Sequence, residues 1–161
     1  MACPGLRQYR SSPFAGDNGA ATVEFALVAP VLIVLLFGII EFGTVFKDVL
    51  SLNQAAREGA RAGAVGAMTT TIQSRVTSAA PTLQSASITT NITYRTCTNG
   101  VWSSWFTLTD LVDQNAAPSG AQIKVAVSYP HTLLTGGLFS RIADPNTNHI
   151  TLTTSMVMRR E

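Results

Sequence analysis

The chain has 161 residues, one domain's worth of polypeptide rather than two. Charged residues make up only 12% and the formal net charge is +2, which excludes the dense basic stripe of a nucleic-acid binder. A hydrophobic content of 46% excludes disorder over most of the length, and two cysteines with two histidines fall at no metal-ligand spacing.

Residues 1–19, MACPGLRQYRSSPFAGDNG, are polar and carry Arg7 and Arg10. An ordinary secretory signal is cut beyond its apolar core, after small residues. Here no such site follows the core directly; the nearest candidates surround Ala55-Ala56. What stands out instead is Gly19, placed immediately before Ala20-Ala21-Thr22-Val23-Glu24-Phe25.

Phe25 to Ile40 is sixteen residues without a charge, and twelve of them are Phe, Leu, Ile or Val. Such a run favours the bilayer by about 5 kcal/mol before Pro30 and Gly38 offset part of it. Continued to Phe46 as a helix, it reaches about 33 Å, enough to cross a hydrocarbon core of about 30 Å. It is apolar all round, which argues against a one-sided core helix. Glu41 sits near its far end and is expected to reach the interface at modest cost. Glu24 sits at its start, where a carboxylate suits the positive end of the helix dipole.

Residues 47–67 read as the helix continuing. Ala55, Gly59 and Gly63 recur at four-residue spacing, as do Ala56, Ala60 and Ala64. Small stripes of this kind let helix backbones approach closely. The partner is left open between this protein's own sheet and another helix. A short second helix is expected over Thr71–Ala80, stopped by Pro81.

The rest reads as strands. Ile88, Thr90, Ile92 and Tyr94 alternate with Thr89, Asn91, Thr93 and Arg95. Asn99-Gly100 marks a hairpin turn before VWSSWFTL. Ile123, Val125, Val127 and Tyr129 alternate with polar or small neighbours, and a loop is expected from Pro130. Gly136-Gly137 and Asp144-Pro145 punctuate that loop, with a short amphipathic helix expected from Leu133-Leu134 and Leu138-Phe139. A last strand carries Ile150, Leu152, Met156 and Met158 on one side. The fold class is α+β: a long N-terminal transmembrane helix continues into a soluble domain and packs on an antiparallel sheet of about four strands.

Active-site chemistry is not evident. His131 and His149 follow no ligand spacing, and Ser140 and Ser155 lack a nucleophile-elbow context. Asp110 and Asp113 are expected in a solvated turn. Trp102, Trp105 and Phe106 are expected chiefly in the core, with an exposed contact as the alternative. If residues 1–19 are removed, Cys3 goes with them, and Cys97 is expected as a free thiol. No cofactor or metal is expected, and the reading is non-enzymatic.

The stretch GAATVEFALVAPVLIVLLFGIIEFG resembles the type IV pilin signal. More narrowly it resembles the TadE-like family, pseudopilins (minor pilins) of tight-adherence, or Flp, pilus systems. LNQAAREGARAGAVGA at 52–67 and the chain end SMVMRRE are similar to that family too. The resemblance implies a 1–19 cytoplasmic leader, a 20–46 transmembrane and assembly helix, and a 47–161 extracytoplasmic domain. It implies that a prepilin peptidase cuts between Gly19 and Ala20, and that Glu24 with Phe25 serves assembly. It implies as partners major and other minor pilins and an inner-membrane assembly platform, with no nucleic acid. The location implied is the bacterial inner membrane, in a single pass, or the pilus itself.

The physics of that motif stands separately. A freed Ala20 α-amine is mostly protonated at neutral pH. A carboxylate at the lipid edge needs a partner or a proton. A neighbouring subunit's amine can supply the partner; the plainer alternative is that Glu24 caps its own helix. The competing functional readings are a membrane-anchored surface-binding domain with an uncut N-terminus, and an exported enzyme cut beyond the apolar run.

Overall fold

The computed structural model describes residues 17–135 and 148–161. Cys3, Arg7, Arg10, the 136–137 and 144–145 breakers, Leu138-Phe139 and Ser140 lie outside the described residues. Leu133 and Leu134, the first half of the expected amphipathic helix, are described and are not helical, Leu134 lying in a turn. The chain divides into two compact units, Met1–Ile39 and Ile40–Glu161.

One helix, α1, runs from Asp17 to Ala64 and contributes to both units. In the first unit its apolar run is wholly unburied, and the helix is long and apolar enough to cross a membrane.

The second unit is the α+β body. The α2 helix spans Thr69–Ala79, beginning two residues before the expected Thr71, and it ends ahead of Pro81. The strands are β1 (Thr89–Arg95), β2 (Cys97–Thr98), β3 (Val101–Trp102), β4 (Phe106–Thr107), β5 (Gln122–Thr132) and β6 (His149–Arg159). Four of them form one antiparallel sheet in the order β4-β1-β5-β6, and β2 pairs with β3 as a separate hairpin. The hairpin turns at Asn99 (φ 53°) and Gly100 (φ 80°), the left-handed conformation that makes Asn-Gly the favoured pair there.

The loop expected from Pro130 is displaced. β5 continues to Thr132, with Pro130 opposite Thr151 of β6. The reason is local: β1 stops with Thr89 opposite Ser128, so β5 has an open side beyond that point. A proline, which lacks an N–H, is tolerated on such an edge.

The core lies between the sheet's inner face and the two helices. Ile123, Val125 and Val127 of β5 are fully buried with Leu52, Ala55, Ala56 and Ala60 of α1 and Ile72 and Val76 of α2. The end of α1 is a Schellman turn. Gly66 takes φ 87°, the Gly66 N–H donates to the Gly63 carbonyl at 3.0 Å, and the Ala67 N–H to the Ala62 carbonyl at 3.1 Å. Buried Asn115 holds this turn, its Nδ2 donating to the carbonyls of Gly63 and Ala67 at 3.1 and 2.9 Å. Arg160, just past β6, donates in turn to the Asn115 carbonyl and Oδ1 and to the Ala117 carbonyl. One polar network thus joins the helix end to the end of the last strand.

Asp110 is more than a solvated turn. It accepts from the Thr69 N–H at 2.7 Å and the Thr69 hydroxyl at 2.5 Å. It therefore caps α2, whose own N-cap residue, Met68, supplies no side-chain bond.

Candidate functional site

The sequence-derived site residues fall in two places. Gly19, Ala20, Glu24 and Phe25 lie in the first unit, in the opening turns of α1, and all four are exposed. The helix is described from Asp17 onward, so the Gly19–Ala20 bond lies in helical backbone. A Cβ on Gly19 would meet nothing within 4 Å, so the fold itself does not require glycine there. From residue 20 to residue 24 the helix rises about 6 Å. Phe25 is 70% exposed, beside a run of equally exposed apolar residues.

The second place is the small-residue face of α1, in the second unit. Ala55, Ala56 and Ala60 are fully buried. Gly59 and Gly63 are buried with them, and their contacts settle the open choice of partner within this chain. A Cβ on Gly59 would stand 2.5 Å from Val76 Cγ2 and 3.2 Å from Val125 Cγ1. A Cβ on Gly63 would stand 3.1 Å from Ile123 Cγ2. This face packs on the protein's own α2 and β5. The exposed flank holds Arg57 and Arg61, with Glu58 between them.

Two carboxylates on α1 are buried, and for Glu41 this corrects the expectation. Glu41 is 6% exposed rather than reaching outward. It accepts from the N–H groups of Leu134 and Thr135 at 3.0 and 3.3 Å, and from the Thr135 hydroxyl at 3.2 Å. Asp48 Oδ2 lies 2.7 Å from His131 Nδ1, with side chains 13% and 7% exposed. Sequence reading missed both links. A signal was present: Glu41, Asp48, Leu52, Ala55 and Gly59 step along one side of α1 at helical spacing, and His131 has the inward parity of Ile123, Val125 and Val127.

The aromatic expectation is also corrected. Trp102 is 38% exposed and Phe106 52%, and neither they nor Trp105 belong to the core cluster. Arg95 lies over both tryptophans, at 4.9 Å from Trp102 and 4.6 Å from Trp105. Cys97 is an exposed free thiol. Among the described residues no cluster of three or more His, Cys, Asp or Glu could hold a metal.

Among the described residues one apolar helix is long enough to cross a bilayer, and the chain continues into an α+β body, which fits the class of single-pass membrane proteins. Residues 19–61 match the family model described as TadE-like protein, so that segment is similar to the TadE-like family. The similarity noted at the chain end lies outside the matched residues. No curated protein and no solved structure matches the chain.

Proposed function

We propose that this chain is a non-enzymatic pseudopilin of a tight-adherence pilus, cut after Gly19 and incorporated through its N-terminal helix. The observation that carries the reading is a coincidence of boundaries. The TadE-like match begins at Gly19, the residue at which the sequence turns from the polar Asp17-Asn18 to the apolar run. The partners are a prepilin peptidase, other pilins and a membrane assembly platform, with the α+β body outside the cytoplasm. Glu24, four residues beyond the new Ala20 amine, supplies the anionic half of a contact between neighbouring subunits. That contact, with helix–helix packing, offsets the cost of leaving the bilayer.

The test is intact mass with N-terminal sequencing of the protein from its native membrane. A chain starting at Ala20 is the expected result. A Met1 start with the peptidase present assigns a permanently anchored surface domain instead. A start near Arg57 assigns a cleaved export signal.

Two substitutions sharpen the reading. Gly19→Val is expected to abolish processing, because the peptidase needs the backbone approach that a side chain blocks. Unchanged processing moves the cut elsewhere. Glu24→Ala is expected to be processed normally but to be missing from pili, as immunoblots of sheared fibres will read. Normal incorporation sinks the assembly role of the carboxylate.

A further inference from the structure

The inward parity of Ile123, Val125 and Val127 leaves Gln122, Lys124 and Ala126 on the sheet's other face. Register carries that face across three strands. Arg95, Gln122 and Arg159 form one row; Thr93, Lys124 and Val157 the next; Asn91, Ala126 and Ser155 the third. Arg95 and Arg159 flank the same glutamine, so they sit two strand spacings, about 10 Å, apart. Lys124 lies between them, one row along. Trp105 lies 4.6 Å from both Arg95 and Lys124. Arg95 Nε donates to Gln122 Oε1 at 2.8 Å, which fixes the guanidinium plane. Beside the first row a hollow of about 560 Å³ is lined by Thr96, Cys97, Trp102, Ser119, Gly120 and Arg159.

No described strand contains an Asp or a Glu. Among the described residues Arg95, Lys124 and Arg159 make no ion pair. Three cations are therefore set in fixed register on a face without a countercharge. We propose that this face binds a linear acidic polysaccharide, with Arg95, Lys124 and Arg159 contacting its repeated anionic groups. The proposal rests on the outward placement of the α+β body given above.

The chemistry selects this occupant over other polyanions. Nucleic-acid bases need free ring faces for stacking, and here Arg95 covers a face of each tryptophan, with Lys124 also over Trp105. A protein partner needs an apolar, desolvated centre; these rows offer only Ala126 and Val157, and the two tryptophans beside them are each faced by a cation. A lipid surface needs apolar side chains to insert. A hydrated, hydroxyl-bearing anionic chain suits rows of Thr, Asn, Ser and Gln between cations.

The experiment uses the full chain in detergent micelles with four probes: alginate, neutral dextran, single-stranded DNA and anionic phospholipid vesicles. Alginate is expected to bind, dextran not, and the binding is expected to weaken steeply with salt. The combined Arg95→Gln, Lys124→Gln and Arg159→Gln variant is expected to lose at least about tenfold in affinity with an unchanged melting curve. Arg57→Gln with Arg61→Gln, on α1, is expected to bind as the parent does. Should the triple variant melt early, the exposed Arg159→Gln alone is expected to lose about threefold. No alginate binding, binding that both variants of the sheet face leave intact, or tighter binding of DNA or vesicles overturns the proposal. Because the binding is read on purified protein, its failure is distinct from a failure of the Gly19 cut.

Discussion

Gly59→Leu is expected to destabilise the α+β body by about 3 kcal/mol, the upper range for overpacking a filled core. The first added carbon would already stand 2.5 Å from Val76 Cγ2. The three further carbons would have to fit between α2 and β5, where Ile72, Val76 and Val125 are fully buried. Valine is stiff at χ1, so Val76 cannot rotate aside cheaply. Helix propensity opposes the loss: replacing a mid-helix glycine gains up to about 1 kcal/mol. Gly59→Ala therefore lands much lower, at about 1 kcal/mol net, because its clash and its propensity gain partly cancel. Melting of the full chain in detergent should show Tm falling by roughly 10 °C for leucine and a few degrees for alanine. A leucine variant as stable as the parent would show that α1 does not approach α2 this closely. Neither substitution touches residues 19–25, so cleavage of any folded fraction should be unchanged.

Asp48→Ala is expected to cost a similar amount, about 3 kcal/mol, by a different route. His131 is buried, and Asp48 is the hydrogen-bond partner of its Nδ1. Its Nε2 already lacks a partner among the described residues. Removing the carboxylate strands the whole imidazole. Asp48→Asn keeps an acceptor oxygen and should cost less. The decisive comparison is the double change Asp48→Ala with His131→Ala. Its cost should fall short of the sum of the single changes, because the second removes a group that the first had orphaned. Strict additivity in denaturant melts would mean that the pair is not coupled in solution.

Much of the fold is legible because its rules are local. The strand alternations, the Asn99-Gly100 turn and the end of α2 before Pro81 each depend on a few neighbouring residues. What was hidden depends on long-range contacts. Asp48 and His131 are 83 residues apart in the chain, and Glu41 is more than ninety from Leu134 and Thr135. A helical period can show that a carboxylate lies on the packed side; it cannot show what will cover it. The tryptophans failed for another reason. Hydrophobic size argues for burial, but Arg95 and Lys124 stand at the polar positions of their strands and hold the indoles on the outer face. The extension of β5 past Pro130 was hidden because proline's tolerance there depends on where β1, a separate strand, happens to stop.

The outermost strand has a practical consequence. β6 is eleven residues long, contains no proline or lysine, and has no neighbour on its outer side among the described strands. Natural proteins usually blunt such a strand with a charge, a proline or a bulge. Here the outer face offers Thr151, Thr153, Ser155 and Val157, uncharged until Arg159 at the strand's end, and the threonines and the valine are good strand formers. Preparations lacking residues 17–39, the part of α1 outside the α+β unit, should therefore still self-associate as concentration rises, through backbone pairing that detergent does not suppress. Placing a lysine at Ser155, in the middle of that strand, is the direct way to keep such material monomeric.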